Sequence, residues 1–292
     1  IRYSIEHDYT ACYKEEACNT DSSALSNIPP SGLFLDGESS CKFPCELDGG
    51  CFVTDAVYQS DYFLYNCYGI SLGMDGKIIP KNFLNIAKFG FINIHASLLP
   101  KWRGAAPIQR AIMNGDKKIG VSIMKIEEKL DSGPIVASKE IELGQNATHG
   151  EIEKTLSVMG ANLLVENLKR LERGNSKFIG QVHSEATYAK KIDKGETKIN
   201  WSLDATKVLA HIHGLSPIPG AWFEYENERF KVLRAKISTV NGKPSYVLDD
   251  NLTVACKSNS IQILELQRQG KNKQTAKDFL LGKKISKGSI LT

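Results

Sequence analysis

Three polar side chains near the middle of the chain have the types and spacing needed to move a proton at a carbonyl group. Asn93 and His95 lie two residues apart in the apolar run FINIHAS, and Asp131 follows in the sequence LDSG. Residues i and i+2 of a strand share a face, so Asn93 and His95 would project together from a strand. With Asp131 at the same sheet edge, they would orient a carbonyl, transfer a proton and hold a water.

The same three residues also fit a purely structural interpretation. His95 would then be a core histidine, Asn93 a capping residue, and Asp131 a turn former two residues before Gly133. Spacing alone favours this alternative, because many sequences contain such triples. A longer motif is needed before the catalytic interpretation of the three residues is favoured over the structural one.

The elements around these residues are predicted to be strands that alternate with helices. FINIHAS, KKIGVSIMKI and IVASKEIEL have the apolar patterns of strands. A helix is predicted after Pro80 with Gly90 closing it, and another between Pro107 and Gly115. Thr148 and Glu151 form a T-x-x-E capping box before an amphipathic helix that ends at Gly174. This order predicts an α/β layer.

The two ends of the chain have different patterns. After Lys198, a helix near residues 205–212 and about five short strands with turn signals predict a small β-barrel. Residues 1–70 lack clear periodicity, apart from a possible strand at residues 62–65. Neither GxGxxG nor a P-loop is present, which gives no ground for a dinucleotide or nucleoside triphosphate site. No apolar run approaches the roughly 18 residues of a membrane helix, so no membrane partner is expected.

Charge and cysteine are unevenly distributed along the 292 residues. Residues 1–70 carry 3 basic and 11 acidic side chains, whereas residues 175–292 carry 19 and 11. A basic C-terminal third fits a polyanionic partner such as nucleic acid, although a solvated lysine-rich surface is the simpler explanation of charge alone. Six of the seven cysteines precede residue 68. Their spacing matches no zinc pattern, and disulfides or a segment foreign to the rest of the protein are the other interpretations.

A longer motif decides between the interpretations of the polar trio. The string NIHASLLPKWRGAAPIQ resembles the signature of the methionyl-tRNA formyltransferase family. The resemblance continues through GDKKIGVSIMKIEEKLDSGPIV, TYAKKI, INW and HGLSPIPGAW, and covers about residues 77–292. It implies transfer of a formyl group from 10-formyltetrahydrofolate to the amino group of methionyl-initiator tRNA, in translation initiation.

The resemblance also assigns residues. Asn93, His95 and Asp131 match the catalytic trio of the family. The expected folate-binding residues are Ser97, Leu98, Leu99, Pro100, Ile78, Ile79 and Pro80. The expected tRNA contacts are Lys190, Lys191, Lys194, Lys231, Arg234 and Lys236. For Trp102 and Arg103 two roles remain possible, which are contact with the substrate and packing or pairing across the loop. The co-substrate is 10-formyltetrahydrofolate, and no metal is expected.

The resemblance implies a fold and a location as well. We expect a partial formyltransferase-type, Rossmann-like parallel sheet in residues 77–187, followed by an OB-like (oligonucleotide-binding) β-barrel that binds tRNA in residues 188–292. Residues 1–76 do not match the family and are expected to be irregular or foreign. The strand FINIHA would then lack its neighbours, and activity would be impaired. A monomer is expected, in the bacterial cytoplasm or in an organellar matrix.

Two alternatives to this function come from the same residues. One is another enzyme that uses 10-formyltetrahydrofolate, either a formyltransferase for small amines or a hydrolase, since these share the Asn/His/Asp trio. The other is a non-catalytic remnant that binds tRNA through its C-terminal barrel. A disulfide-bonded extracellular module in residues 1–70 is a third interpretation of the N-terminal segment, which the cytosolic role of the remainder disfavours.

Overall fold

The computed structural model describes residues 51–53, 69–71, Leu84 and 90–292. The chain divides into two compact units. Unit 1 comprises the residues up to Pro107, Gly120–Ile141 and Lys154–Ala189. Unit 2 comprises Ile108–Ile119, Glu142–Glu153 and Lys190–Thr292, and so includes two early pieces that the linear boundaries from the sequence did not assign to it.

The first sheet has five strands in the order β1-β2-β3-β4-β5. They are β1 (Cys51–Val53), β2 (Gly69–Ser71), β3 (Phe91–His95), β4 (Lys118–Lys125) and β5 (Ile135–Glu142). β1, β2 and β3 are parallel, whereas β3 and β4 are antiparallel. The prediction of a parallel sheet is therefore wrong for this pair, and the sheet is mixed. Apolar periodicity reports which faces of a strand are buried but carries no information on its direction.

The prediction that β3 lacks its neighbours is also wrong. β2 pairs with β3 in parallel, with Ile70 opposite Ile92 and Ser71 opposite Asn93, and β1 continues the sheet beyond β2. Both added strands are only three residues long, which is too short for a period-2 pattern to be recognised. The possible strand at residues 62–65 and most of the helix predicted after Pro80 lie outside the described residues. Within that helix, Leu84 is helical, and Gly90 has the positive φ of a helix-closing glycine.

β3 is buried because a helix packs closely on the sheet. Phe91, Ile92 and Ile94 are all buried. α2 (His149–Glu172) approaches so closely that a Cβ on Gly160 would stand 2.7 Å from Ile94 Cγ2. The capping box predicted for α2 is confirmed, because Glu151 Oε2 accepts the Thr148 N–H at 2.9 Å. Gly174, at φ +66°, follows the end of the helix as predicted.

Unit 2 contains an antiparallel sheet in the order β10-β9-β7-β6, with β8 paired to β9. The strands are β6 (Ala221–Tyr225), β7 (Glu228–Ser238), β8 (Thr253–Ala255), β9 (Ser260–Arg268) and β10 (Lys273–Thr275). The helices of this part are α1 (Pro107–Asn114), α3 (Ala205–Leu215) and α4 (Ala276–Gly282). The five strands and the helix before them confirm that part of the sequence prediction.

The core of unit 2 is aromatic at its centre. Phe223 and Phe230, both completely buried, stack with ring centroids 5.4 Å apart, and Phe279 meets Phe230 edge-on at 5.5 Å. The apolar residues of α3 complete this core. No helix in the described part of the chain is long and apolar enough to span a membrane.

His213 on α3 is a buried ionisable group in unit 2. It is 1% exposed, and its Nε2 accepts the Ala235 N–H at 3.3 Å. Burial, with the Arg234 charge beside it, lowers the pKa of His213 to about 4. Burial also lowers the pKa values of His149 and His211.

We predict that the free energy of unfolding falls as the pH is lowered from about 6.5 to about 4. In that window the unfolded chain binds a proton at His213 that the folded chain excludes. The shift from 6.5 to about 4 corresponds to at most about 3 kcal/mol for His213 alone. Urea unfolding across this pH range measures it, and His213→Gln should reduce the slope. Equal slopes in the wild type and His213→Gln would contradict the assignment.

Candidate active site

The C-terminal end of β3 carries the first two residues of the predicted trio. Asn93 and His95 share one face of the strand, opposite Met124 and Ser122 of β4. His95 is 6% exposed, and its Nε2 lies 2.9 Å from the carbonyl oxygen of Trp102. Because a carbonyl only accepts, His95 Nε2 carries a proton and donates it there. The other ring nitrogen, Nδ1, therefore remains for chemistry.

Asn93 has an unsatisfied polar atom at this position. Its Oδ1 is buried and has no hydrogen-bond partner among the described residues. A buried carbonyl oxygen without a partner costs about 1–3 kcal/mol, so such atoms are rare in structural positions. The Oδ1 of Asn93 thus makes no turn-capping bond among the described residues.

Asp131 lies in the loop between β4 and β5 and reaches the same end of β3. Its Oδ2 accepts the Gly104 N–H at 2.7 Å and stands 3.8 Å from His95 Nδ1. The latter distance is an ion pair when the imidazole is protonated and is too long for a direct hydrogen bond. The structure therefore brings His95 and Asp131 together, as the sequence predicted.

The turn at residues 101–104 connects these groups. Its Trp102 carbonyl accepts from His95, and its Gly104 N–H donates to Asp131. Trp102 has a φ of 60° and Gly104 a φ of +118°, and a Cβ on Gly104 would stand 2.8 Å from the Ala189 carbonyl oxygen. Only glycine fits there. Backbone bonds from Arg103 N–H to the Thr187 carbonyl (2.9 Å) and from Ala189 N–H to the Arg103 carbonyl (2.7 Å) hold the turn in place.

Arg103 packs inside unit 1 and is not a surface contact. It is 3% exposed, and its guanidinium donates to Gln181 Oε1 from Nε (3.1 Å) and Nη2 (2.7 Å). Nη2 also lies 3.1 Å from His183 Nδ1. Of the two possibilities for this residue, the structure favours packing and pairing across the loop.

The predicted folate loop follows β3 directly and is anchored by Ser122. The Ser122 hydroxyl accepts the Leu99 N–H at 3.2 Å and donates to the Ser97 carbonyl at 2.8 Å. Ser97 Oγ in turn donates to the Lys101 carbonyl at 2.6 Å, and the Leu99–Pro100 bond is cis. The remaining predicted folate residues, Ile78, Ile79 and Pro80, lie outside the described residues.

Two residues of this site were missed in the sequence. Ser122 is a lone hydroxyl in the apolar strand KIGVSIMKI, and that interruption was a usable signal. Gln181 lies in an irregular segment with no pattern to mark it. Among residues 90–292 and the short described strands, no cluster of three His, Cys, Asp or Glu side chains could hold a metal ion.

The predicted tRNA contacts all lie in unit 2 but differ in their exposure and in whether their charge is already paired. Lys190, Lys191, Lys194 and Lys236 are exposed, and Lys231 is half-buried. Arg234 forms an ion pair with Glu151 at 2.5 Å, so its charge is already partly neutralised. Near Lys231, Trp222 has Arg229 4.1 Å and Lys198 5.4 Å from its ring centroid, a basic and aromatic group that the sequence reading missed.

The comparisons with known sequences agree on one family. A family profile described as formyl transferase matches residues 68–168, and one described as formyl transferase, C-terminal domain, matches residues 191–284. The methionyl-tRNA formyltransferase of Pelagibacter ubique is 46% identical over 218 residues, which is 74% of this chain and 70% of that protein. The one from Bradyrhizobium diazoefficiens is 45% identical over 221 residues, with 74% and 71% covered.

Solved structures support the fold. HypX from Aquifex aeolicus, in complex with tetrahydrofolic acid, superposes with a TM-score of 0.58 at 20% identity, over 76% of this chain and 40% of that one. An N-formyltransferase from Helicobacter canadensis, in complex with folinic acid and dTDP-3-aminofucose, gives a TM-score of 0.58 at 18% identity, over 71% and 76%. With the two profiles and the close sequence relatives, the chain belongs to the methionyl-tRNA formyltransferase family.

Proposed function

We propose that this enzyme transfers the formyl group of 10-formyltetrahydrofolate to the amino group of methionyl-initiator tRNA, in translation initiation. The observation that carries the proposal is the convergence of Asn93, His95 and Asp131 at the end of β3, in a chain of this family. The reaction would take place where initiator tRNA is charged, in a bacterial cytoplasm or an organellar matrix, and we expect the enzyme to act as a monomer.

The first step is attack of the amine nitrogen on the formyl carbon. The carbonyl oxygen then becomes an oxyanion, which needs hydrogen-bond donors already in place. The side-chain N–H₂ of Asn93 is one such donor. Its Oδ1, which has no partner among the described residues, would accept an N–H of the incoming amine or of the folate. Asn93 would thus position both reactants.

The second step moves a proton from the amine to the departing folate nitrogen while the carbon–nitrogen bond to the folate breaks. His95 Nδ1 is the proton-carrying atom in this proposal, because Nε2–H is engaged by the Trp102 carbonyl. The Asp131 carboxylate, 3.8 Å away, would stabilise the imidazolium that forms in between. The Gly104 N–H, which Asp131 Oδ2 accepts, fixes that carboxylate.

The loop Ser97–Pro100 is proposed to hold the folate. Leu99 is buried and Leu98 is half-buried, which gives the loop apolar side chains suited to a folate ring. Backbone groups of the loop, held in place by Ser122, would supply the polar contacts. Ile78, Ile79 and Pro80 are proposed as a further part of this pocket.

Unit 2 is proposed to be the OB-like barrel that holds the tRNA. Its lysine-rich surface supports binding to the tRNA phosphates that does not depend on the RNA sequence. Trp222 of β6, with Arg229 and Lys231 of β7 and Lys198 beside them, adds a basic and aromatic surface of the kind that binds nucleic acids. Within this surface, Glu224 pairs with Arg229 at 3.0 Å and with Lys198 at 3.9 Å, so Lys231 is the cation tested below.

Replacement of the trio tests the chemistry. We predict that His95→Ala and Asp131→Ala each lower kcat by a factor of about 100 or more, as expected for a lost general acid–base group. Single-turnover formylation of methionyl-initiator tRNA measures this. Gln274→Ala, at an exposed position on β10, should retain wild-type turnover. Near-normal turnover in either trio variant would refute its assignment.

Replacement of Ser122 tests the folate loop. Ser122→Ala removes the acceptor for the Leu99 N–H and the donor to the Ser97 carbonyl, so the loop loses two hydrogen bonds at about 1 kcal/mol each. We predict that the KM for 10-formyltetrahydrofolate rises by a factor of about 10, while kcat changes little. A variant in which kcat falls and the KM is unchanged would show that Ser122 acts on the chemistry instead.

The salt dependence of binding tests the tRNA surface. We predict that Lys231→Ala reduces the slope of log Kobs against log[salt] by about 1, as expected for one lost phosphate contact. Lys257→Ala, at an exposed turn position outside the proposed surface, is the matched control and should leave the slope unchanged. Filter binding of initiator tRNA over a range of salt concentrations gives both slopes. If the two variants have the same slope, Lys231 contacts no phosphate.

A further inference from the structure

Gln181 is a buried amide that uses its full hydrogen-bonding capacity between two loops of the active site. It is 9% exposed. Its Nε2 donates to the Asp131 carbonyl at 2.9 Å and to the Gly133 carbonyl at 2.7 Å. Its Oε1 accepts two bonds from Arg103, at 3.1 and 2.7 Å. Two donors and two acceptor sites are all that an amide offers, and the network fixes which end is nitrogen.

The donor end of Gln181 holds a strained loop. Asp131 has a φ of 45°, a left-handed conformation that costs a non-glycine residue about 1–3 kcal/mol and persists only when its surroundings impose it. Gln181 bonds to the carbonyls on both sides of Ser132 and so spans the turn that Asp131 begins. Together with the bonds of Ser132 to the Lys129 carbonyl, these two bonds hold the backbone conformation from which the Asp131 carboxylate points towards His95.

The acceptor end of Gln181 holds a buried cation. Within the part of the chain that the structure describes, no carboxylate lies within ion-pair distance of the Arg103 guanidinium. A buried guanidinium without acceptors is strongly destabilising, so the two bonds to Gln181 Oε1 keep Arg103 in place. Arg103 lies between Trp102 and Gly104, whose backbone groups bond to His95 and Asp131.

We propose that Gln181 is a positioning residue that sets the orientation of Asp131 relative to His95. One side-chain amide joins the loop that carries Asp131 to the turn that holds both catalytic side chains. This role rests on the proposed function, since it concerns the geometry of the same reaction. The folate loop is anchored separately, by Ser122, so Gln181 should affect the chemical step and not folate binding.

Gln181→Glu is the sharpest variant. A glutamate has the same length and keeps the one oxygen that accepts both Arg103 bonds, but it replaces the N–H₂ that holds the Asp131 and Gly133 carbonyls by an anionic oxygen. We expect kcat for formyl transfer to fall by a factor of about 10 to 100, the range found when a group that orients a metal-binding side chain is removed. The KM for 10-formyltetrahydrofolate should stay at the wild-type value. Gln274→Glu, the same chemical change on exposed β10, is the matched control.

Hydrogen exchange gives a second result that does not require activity. In Gln181→Glu the amides of residues 101–106 and 128–135 should exchange faster, because the bonds between the two loops are lost. The amides of β4 in unit 1 and of β9 in unit 2 should be unchanged, which shows that both units of the variant are folded. Wild-type exchange at both loops, or wild-type kcat, would overturn the proposal. An inactive wild-type chain would instead refute the proposed function, while exchange still reports on Gln181.

A double-mutant comparison separates positioning of Asp131 from a general loosening of the site. If Gln181 acts through Asp131, then adding Gln181→Glu to Asp131→Asn should cause no further loss of kcat. A full multiplicative loss in the double variant would mean that Gln181 acts independently of Asp131, and would overturn the proposal.

Discussion

The tight turn at residues 101–104 is the constraint on which the candidate active site depends. One carbonyl of this turn, on Trp102, fixes the tautomer of His95, and one N–H, on Gly104, fixes the carboxylate of Asp131. The side chains of both proposed catalytic residues are therefore oriented by backbone groups within three residues of each other. The turn can be this tight only because position 104 lacks a Cβ that would meet the Ala189 carbonyl oxygen. The glycine at position 104 thus permits the backbone conformation that orients the two groups proposed to handle the proton.

The remaining parts of unit 1 support the turn from different directions. The segment at residues 187–189 pairs with it through backbone bonds, Ser122 of β4 anchors the loop that leads into it, and Gln181 connects it to the loop of Asp131. Ser122, Gln181 and Ala189 are buried, whereas Thr187 and Tyr188 are exposed, and all of these supports use hydrogen bonds rather than ion pairs. Hydrogen bonds in a dry environment hold a fixed geometry, which is what transition-state stabilisation requires.

Local patterns predicted much of this structure, and long-range pairing was where prediction failed. The strand FINIH, the helix that starts at Thr148 and Glu151, and the proximity of His95 to Asp131 follow from period, capping and motif. The antiparallel direction of β4 and the short strands β1 and β2 could not be predicted, because strand direction and three-residue strands leave no periodic signal. Gln181 was missed for a related reason, since its four bonds join residues about 50 and 80 positions apart.

The most direct test of the account is single-turnover formyl transfer by the full chain with 10-formyltetrahydrofolate and two acceptors. One acceptor is methionyl-initiator tRNA, and the other is a small primary amine such as methionine amide. The account predicts rapid formylation of the charged tRNA and negligible formylation of the small amine, because in the proposed function binding of the tRNA positions the amine. Equal rates with both acceptors, or no transfer to the tRNA, would contradict it.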